Sequence, residues 1–528
     1  MKKISFILVS FLLAGLPALA QNLNPEVQVT NDYQTRMADV HKTGIGMSIP
    51  DSLTQFKTNI DYSVFPTAYK GAYAFEPYAI SMEPESRPFD GSLLYLRAGA
   101  GYSFHPVVRA VFTPFPMGLV RNSEYLSFDG YGGKYRSHDT RADYNGHDFG
   151  LGAGAIVRWN KETFDFSADA AYKGIYTKDD ILSSAYHKAG VQMNIHSNTP
   201  DLPVTYVFDA GLHYGSDAAG TLGRIEEFGY EADGFVCPEI GQSFRLRVDV
   251  HSQGSWFGGG VFAPAVLNSA APKAVYSVGN FTLYGGARIA LSEKLTLHPD
   301  LSVEWLAPNG AVKVTAALGG GQFLSDYAAF KEKDHWFNAS YLTSFKATVE
   351  RISASLDIRG SLFKHLQYDF SGGWRKLEDS CVQGLAVSGG LFIPGVAYAD
   401  YEQYWGKALL NWKSERLDVN MDSRYAYNTL AKGAAFLLPA AFEIETSAVY
   451  NWNRHIFAGL RCRALTARDS NLVHIPGFVD LGLYGEYIFA RNLSAWAQAG
   501  NLLNAKTAYS PTHVAGGVNF TLGICLKL

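Results

Sequence analysis

The chain has 528 residues, of which 47% are apolar and only 18% charged, with a formal net charge of -4. That weak negative balance excludes an electrostatic nucleic-acid binder. Beyond the N-terminus no run approaches the roughly 18 consecutive apolar residues of a membrane-crossing helix.

In chain order, Lys2 and Lys3 precede an apolar run over residues 4–16, and Pro17-Ala18-Leu19-Ala20 ends it in small residues. This pattern is a secretory signal, with cleavage expected between Ala20 and Gln21. No cysteine stands near that point, so a lipid-anchored protein is not expected. Residues 21–90 are rich in proline and carry little sustained alternation. They read as an extended leader that either hugs the periplasmic rim or enters a lumen, with simple disorder as the other reading.

From Leu93 onward, apolar and polar residues alternate repeatedly, which places them on opposite faces of strands. Phe149, Leu151, Ala153, Ala155, Val157 and Trp159 share one face. Phe244, Leu246, Val248 and Val250 oppose Arg245, Arg247, Asp249 and His251. Leu295, Leu297, Leu301 and Val303 oppose Thr296, His298, Asp300 and Ser302. Ile352, Ala354, Leu356 and Ile358 oppose Arg351, Ser353, Asp357 and Arg359. Charges on the second face are costly in a sandwich core and comfortable in a wet lumen. With no helices to cover them, the apolar faces must meet lipid. Mean hydropathy near zero (-0.05) agrees with a membrane protein whose signal lies in alternation. So does an aromatic share of 14%, since Tyr and Trp gather at membrane interfaces.

Short polar turns are expected at 160–163, 292–294, 364–365, 413–416, 453–455 and 490–492. Longer links are expected at 116–148, 215–242, 428–441 and 466–478, with 125–144 as an exposed surface loop. Short periplasmic turns and long outer loops belong to an all-β transmembrane antiparallel β-barrel over 91–528, of roughly 20 strands (about 16–22). The short link at 103–106 does not fit the inside/outside order counted from the C-terminus. Either a strand precedes Leu93, at 71–80, or one has been missed.

Residues 518–528 form a final strand with Val518, Phe520, Leu522, Ile524, Leu526 and Leu528 on one face. Its Thr521, Gly523, Leu526 and Leu528 resemble the C-terminal assembly signal of Gram-negative outer-membrane proteins, with Leu528 standing where an aromatic residue is usual. Residues 493–504 followed by Gly517-Val518-Asn519-Phe520-Thr521-Leu522-Gly523 resemble the end of TonB-dependent receptor barrels. Leu503 takes the place of a phenylalanine there. The overall style, including Tyr62-Ser63-Val64-Phe65-Pro66, resembles barrel-only relatives from Bacteroidetes. The resemblance implies outer-membrane lipid and the barrel-assembly machinery as partners. No TonB box and no plug-sized N-terminal domain is recognisable ahead of the strands, which sets energised import apart from what the resemblance carries.

No G-x-S-x-G, H-E-x-x-H or P-loop motif is present, so neither an enzyme nor a bound cofactor or metal is expected. The four cysteines (237, 381, 462, 525) form no CxxC, and whether Cys237 and Cys381 pair stays open. Arg245, Arg247, Arg351 and Arg359 have two readings. One is a lumen stripe that selects anionic solutes. The other, favoured by interleaved Asp249, Glu350 and Asp357, is wall charges that are neutralised in place. Two functions are expected: a transport or pore protein for an unknown solute, or a non-transport subunit of an envelope complex that uses 21–90 and the long loops to bind partner proteins.

Overall fold

An extended segment with one greasy and one wet face must pair its backbone along both edges. The computed structural model describes residues 93–528, except 103, 116–117, 137–142, 180–182, 199–202, 219–222, 242, 261, 338–343, 364, 389–390, 431–436, 438, 470–473, 509–512 and 516. The signal segment with Ala20 and Gln21, the leader 21–90 and the candidate strand at 71–80 lie outside the described residues.

Twenty-two wall strands, each antiparallel to the next, account for the main sheet together with the two-residue segment Val514–Ala515. They are β1 (Leu94–Tyr102), β2 (Val107–Phe115), β3 (Val120–Arg136), β4 (Tyr144–Asn160), β5 (Phe164–Lys178), β6 (Ser183–Ser197), β7 (Val204–Ala218) and β8 (Arg224–Pro238). β9 (Phe244–Phe257), β10 (Ala265–Val278), β11 (Phe281–Leu291), β12 (Leu295–Leu306), β13 (Val312–Leu324), β14 (Ala347–Leu362) and β15 (Leu366–Ser388) follow. β16 (Leu391–Lys413), β17 (Leu417–Asn428), β18 (Phe442–Trp452), β19 (Ile456–Leu465), β20 (Phe478–Ala490), β21 (Leu493–Gly500) and β22 (Asn519–Lys527) complete the wall.

The ring closes where β1 pairs with β22, from Tyr95 opposite Lys527 to Tyr102 opposite Phe520. The Leu528 N–H donates to the Leu94 carbonyl at 2.8 Å. At this seam the Trp496 indole lies across the backbone of both flanking strands. A Cβ on Gly99 or on Gly523 would come within 2.5 Å of its ring, so glycine is required at both positions. Arg97 lies over the same ring at 4.0 Å and donates to the Tyr484 hydroxyl at 3.3 Å.

Side-chain alternation follows the pattern read above. Leu295 and Leu297 are 69% and 72% exposed on the outer face, while the next residue, His298, points to the inner face and is 2% exposed. Val250, Leu246 and Leu356 likewise point outward.

Four expectations are corrected. First, the wall has 22 strands rather than roughly 20. Second, the links expected at 116–148 and 215–242 each contain a strand, β3 and β8. The loop expected at 125–144 is a hairpin whose ladder runs from Val120 opposite Trp159 to Tyr135 opposite Tyr144. Its Tyr-, Gly- and Asp-rich composition reads as loop, but tyrosine is a strong strand former. The buried rings of Tyr131 and Tyr135 pack edge to face. β1 pairs directly with β22, so the ring closes without a strand ahead of β1. Third, with strands alternating in direction, 103–106 and 292–294 lie at the rim opposite the C-terminus (the far rim), so that rim has short turns too. The assumption that no helix is present also fails: α1 (Tyr327–Lys333) follows β13.

Candidate functional site

α1 begins because Asp326 caps it, accepting a hydrogen bond from the Ala329 N–H at 2.8 Å. Its buried side chains are Tyr327, Ala328 and Lys331. Although α1 is tethered between β13 and β14, its partners lie on the inner faces of β5 to β8. The helix therefore sits inside the ring rather than on its outside.

Three polar anchors hold it. Glu227 of β8, 1% exposed, accepts from the N–H groups of Tyr327 and Ala328 at 3.0 Å each. Asp217 of β7 meets Lys331 Nζ at 3.1 Å and accepts from the Tyr327 hydroxyl at 2.5 Å, with both charged groups almost fully buried. Lys331 is further satisfied by Ser184 Oγ at 2.8 Å and the Phe337 carbonyl at 3.2 Å. On the more exposed side Glu332 bridges Lys188 at 2.8 Å and Lys173 at 3.0 Å. Burial alone would raise the Glu332 carboxyl, but the two ammonium groups outweigh it and hold it below the usual value. Asp326 moves the other way, pushed up by burial and then by the neighbouring Glu227. Beneath the polar anchors an apolar cluster joins Ile175, Tyr186, Ile225, Leu267, Tyr327 and Phe337.

The chain beyond α1 continues into a cover over the far rim. Trp336 stacks on His513 of the β21–β22 link at 3.5 Å, and His513 Nε2 lies 3.0 Å from the buried Asp179 carboxylate. His335 pairs with Asp148 of β4 at 2.7 Å. Gln383 donates to Asp334 at 3.1 Å and its carbonyl accepts from the Leu437 N–H at 2.8 Å. Leu437, Ile475, Ala508 and Val514, from three different far-rim links, form one cluster with at most 1% exposure. Links that open barrels leave splayed are here packed against one another.

Under α1 lies a cavity of about 930 Å³ whose lining includes His213, Asp326, Glu231, Asp233, Asp169 and Asp209. Its charged side chains are six carboxylates against two ammonium groups, and both ammonium groups, Lys173 and Lys188, are engaged by Glu332.

The arginines singled out in the sequence do not converge on this cavity. Arg245 on β9 donates to Ser277 Oγ at 3.4 Å. Arg247, 3% exposed, meets Asp249 at 2.6 Å and lies over the Phe235 ring at 3.7 Å. Asp249 also binds Lys273 at 2.9 Å, and Lys273 binds Asp300 at 2.8 Å, so the charges form a chain along the wall. On β14, Arg359 sits between Asp357 at 2.7 Å and Asp369 at 3.2 Å. Arg351 falls at a register shift, is exposed, and reaches Glu378 at 2.7 Å rather than Glu350. Thr521 is buried on the inner face of β22, Gly523 lies under Trp496, and Leu528 is exposed. The cysteines, Cys237 and Cys381 included, are free thiols. None of the cavity residues was singled out from sequence. The readable signal was Asp326 ahead of a helix-forming Tyr-Ala-Ala-Phe-Lys-Glu-Lys run.

No protein-family model matches the chain, and no curated protein matches it. Among solved structures, the barrel is similar to the FrpB iron transporter from Neisseria meningitidis in its apoprotein form (10% identity, TM-score 0.60, 82% of this chain and 81% of that one). It is similar to the copper transporter OprC (12%, 0.56, 82% and 80%). A third similar structure is the ferric enterobactin receptor PfeA from Pseudomonas aeruginosa (10%, 0.57, 82% and 80%). At these identities the likeness is one of fold: a large closed antiparallel barrel.

Proposed function

We propose that this chain is a Gram-negative outer-membrane β-barrel that carries a solute through its lumen, as a TonB-dependent receptor-like barrel without the plug domain. The observation that carries the reading is the wall itself: 22 strands with an apolar outer face and an ion-paired inner face around a polar chamber. Barrels of 16–18 strands leave an aqueous channel, and 22-stranded ones belong to transporters whose bore is occupied. Here α1 and the far-rim links take part of that space. The structural neighbours, an iron transporter, a copper transporter and a ferric enterobactin receptor, support transport as the class of activity. On this reading the outer leucines meet lipid, residues 1–20 are removed after Ala20, and Thr521, Gly523, Leu526 and Leu528 are read by the barrel-assembly machinery. The leader 21–90 then lies at the periplasmic rim or in the lumen.

A second reading, a non-transport subunit of an envelope complex, is favoured by one observation: far-rim links from three places in the chain pack together through Leu437, Ile475, Ala508 and Val514. Planar-bilayer recording separates the two. Purified protein is expected to pass an ion current, and removing residues 21–90 to increase it. A barrel that stays silent, even after Trp336→Ala loosens the cover, and that co-purifies with other envelope proteins overturns the transport reading.

A further inference from the structure

Three donors from three elements converge at the edge of the α1 cavity. His213 Nε2 of β7 lies 3.6 Å from Glu227 Oε2 of β8 and 3.8 Å from Asp326 Oδ2 at the start of α1. One ligand atom of each lies within 4.8 Å of the other two. These separations are too long for hydrogen bonds. They match the edges of a coordination polyhedron, since bonds of about 2.1 Å in a tetrahedron put neighbouring ligands about 3.4 Å apart.

One observation points to a ligand at this place, and a second shows that the donor is held there by the wall. His213 Nε2 is buried and has no hydrogen-bond partner, although a buried polar atom ordinarily has one. The imidazole position is also built into the wall: a Cβ on Gly229 would come within 2.1 Å of Cε1 and 2.4 Å of Nε2, so only glycine leaves room for the ring. Both carboxylates are already oriented by backbone donors, Glu227 by Tyr327 and Ala328 and Asp326 by Ala329. Such outer contacts fix the direction of a ligand's remaining lone pairs. The cavity adjoining His213 and Asp326 carries excess negative charge and leaves space for a further ligand or water. An imidazole among the donors selects a borderline transition metal over magnesium or calcium.

We propose that His213, Glu227 and Asp326 bind one divalent transition-metal ion of the zinc class, and that this ion fastens α1 to the inner wall. The site is a latch joining a loop to the barrel, and it does not depend on the transport reading. Full-length protein in detergent, stripped with a chelator, is titrated with Zn²⁺ by calorimetry and with Co²⁺ by visible absorption. One ion per chain is expected, with cobalt bands typical of a low-coordinate nitrogen and oxygen site. His213→Ala and Asp326→Asn are each expected to weaken Zn²⁺ by more than about a hundredfold, beyond the 10- to 100-fold typical of outer-shell changes. The asparagine keeps the helix cap, so a loss there is not a loss of α1. Zn²⁺ should also slow amide exchange over 326–337 in the parent and not in His213→Ala. Absence of stoichiometric binding means an imidazolium ion pair only and overturns the proposal. So does binding that survives His213→Ala but is lost with His251→Ala, which places the ion at the neighbouring Glu231, Asp233 and His251. Zn²⁺ binding with unchanged exchange overturns the latch. Because binding is read without any flux, a silent barrel that binds Zn²⁺ sinks only the transport reading.

Discussion

Lys331 shows how much one side chain can decide. Its ammonium is 1% exposed and shares Asp217, Ser184 and the Phe337 carbonyl, so removing it strands a buried carboxylate. Lys331→Ala is expected to weaken α1 docking by about 3–5 kcal/mol, the range for breaking one partner of a buried pair. Exchange at the amides of α1 measures it. Lys331→Met combined with Asp217→Leu should recover only part of the loss, because it removes the stranded charge but takes the partners of the Tyr327 hydroxyl and the Phe337 carbonyl. At the seam, Gly523→Ala drives a methyl into the Trp496 ring and the Ala98 carbonyl. It is expected to cost at least about 1–3 kcal/mol of overpacking, seen as a lower urea midpoint for the heat-modifiable folded band. Gly523 was legible in the sequence as part of a C-terminal pattern. Its packing role was not, because the indole above it comes from another strand. The same limit applied to the arginines: their acidic neighbours in sequence were visible, but Arg351 takes Glu378 across a register shift that no local pattern announces.

At the level of elements, strands were legible wherever apolar residues alternate with charges, as in β9, β12 and β14, because period-2 patterning reports directly which face is wet. It faded in β3 and β8, where glycine occupies both faces and polar residues such as Asn122, Glu124 and Glu226 interrupt the apolar one. A seven-residue α1 is below the length at which helical periodicity declares itself, and the site it builds with β7 and β8 exists only after closure of the wall. Two outcomes test these elements. Leu356→Arg on the outer face of β14 is expected to destabilise the inserted barrel by about 2–4 kcal/mol, the cost of a cation at mid-membrane depth. The same substitution at Ser355, facing inward, should cost far less. For α1, Glu332 titrates below its usual 4.5 in the folded state. A lowered carboxyl contributes stability above the unfolded value and loses it as pH falls through the folded one. Exchange protection over 326–337 is therefore expected to hold at neutral pH and to decline below about pH 4.5. Glu332→Gln, which removes the charge held by Lys173 and Lys188, should flatten that decline.

The described residues form a ring whose inside and outside obey different chemistry, and its overall class followed from the sequence because that contrast recurs in most strands. The far-rim cover was not legible, since its cluster of Leu437, Ile475, Ala508 and Val514 draws on links far apart in the chain. Breaking it with Trp336→Ala, which removes the stack on His513, is expected to raise single-channel current several-fold without lowering the yield of folded protein. Unchanged current would mean that the bore is closed elsewhere. The pairing of Tyr95 with Lys527 has a consequence for biogenesis. Among the described strands, the first to be made cannot satisfy its outer edge until the last one arrives, so the wall has no stable halfway house. On the proposed outer-membrane reading the chain crosses the periplasm before it folds, and a stop codon that removes only the final strand is expected to send the entire product to proteolysis rather than yield a slightly smaller pore.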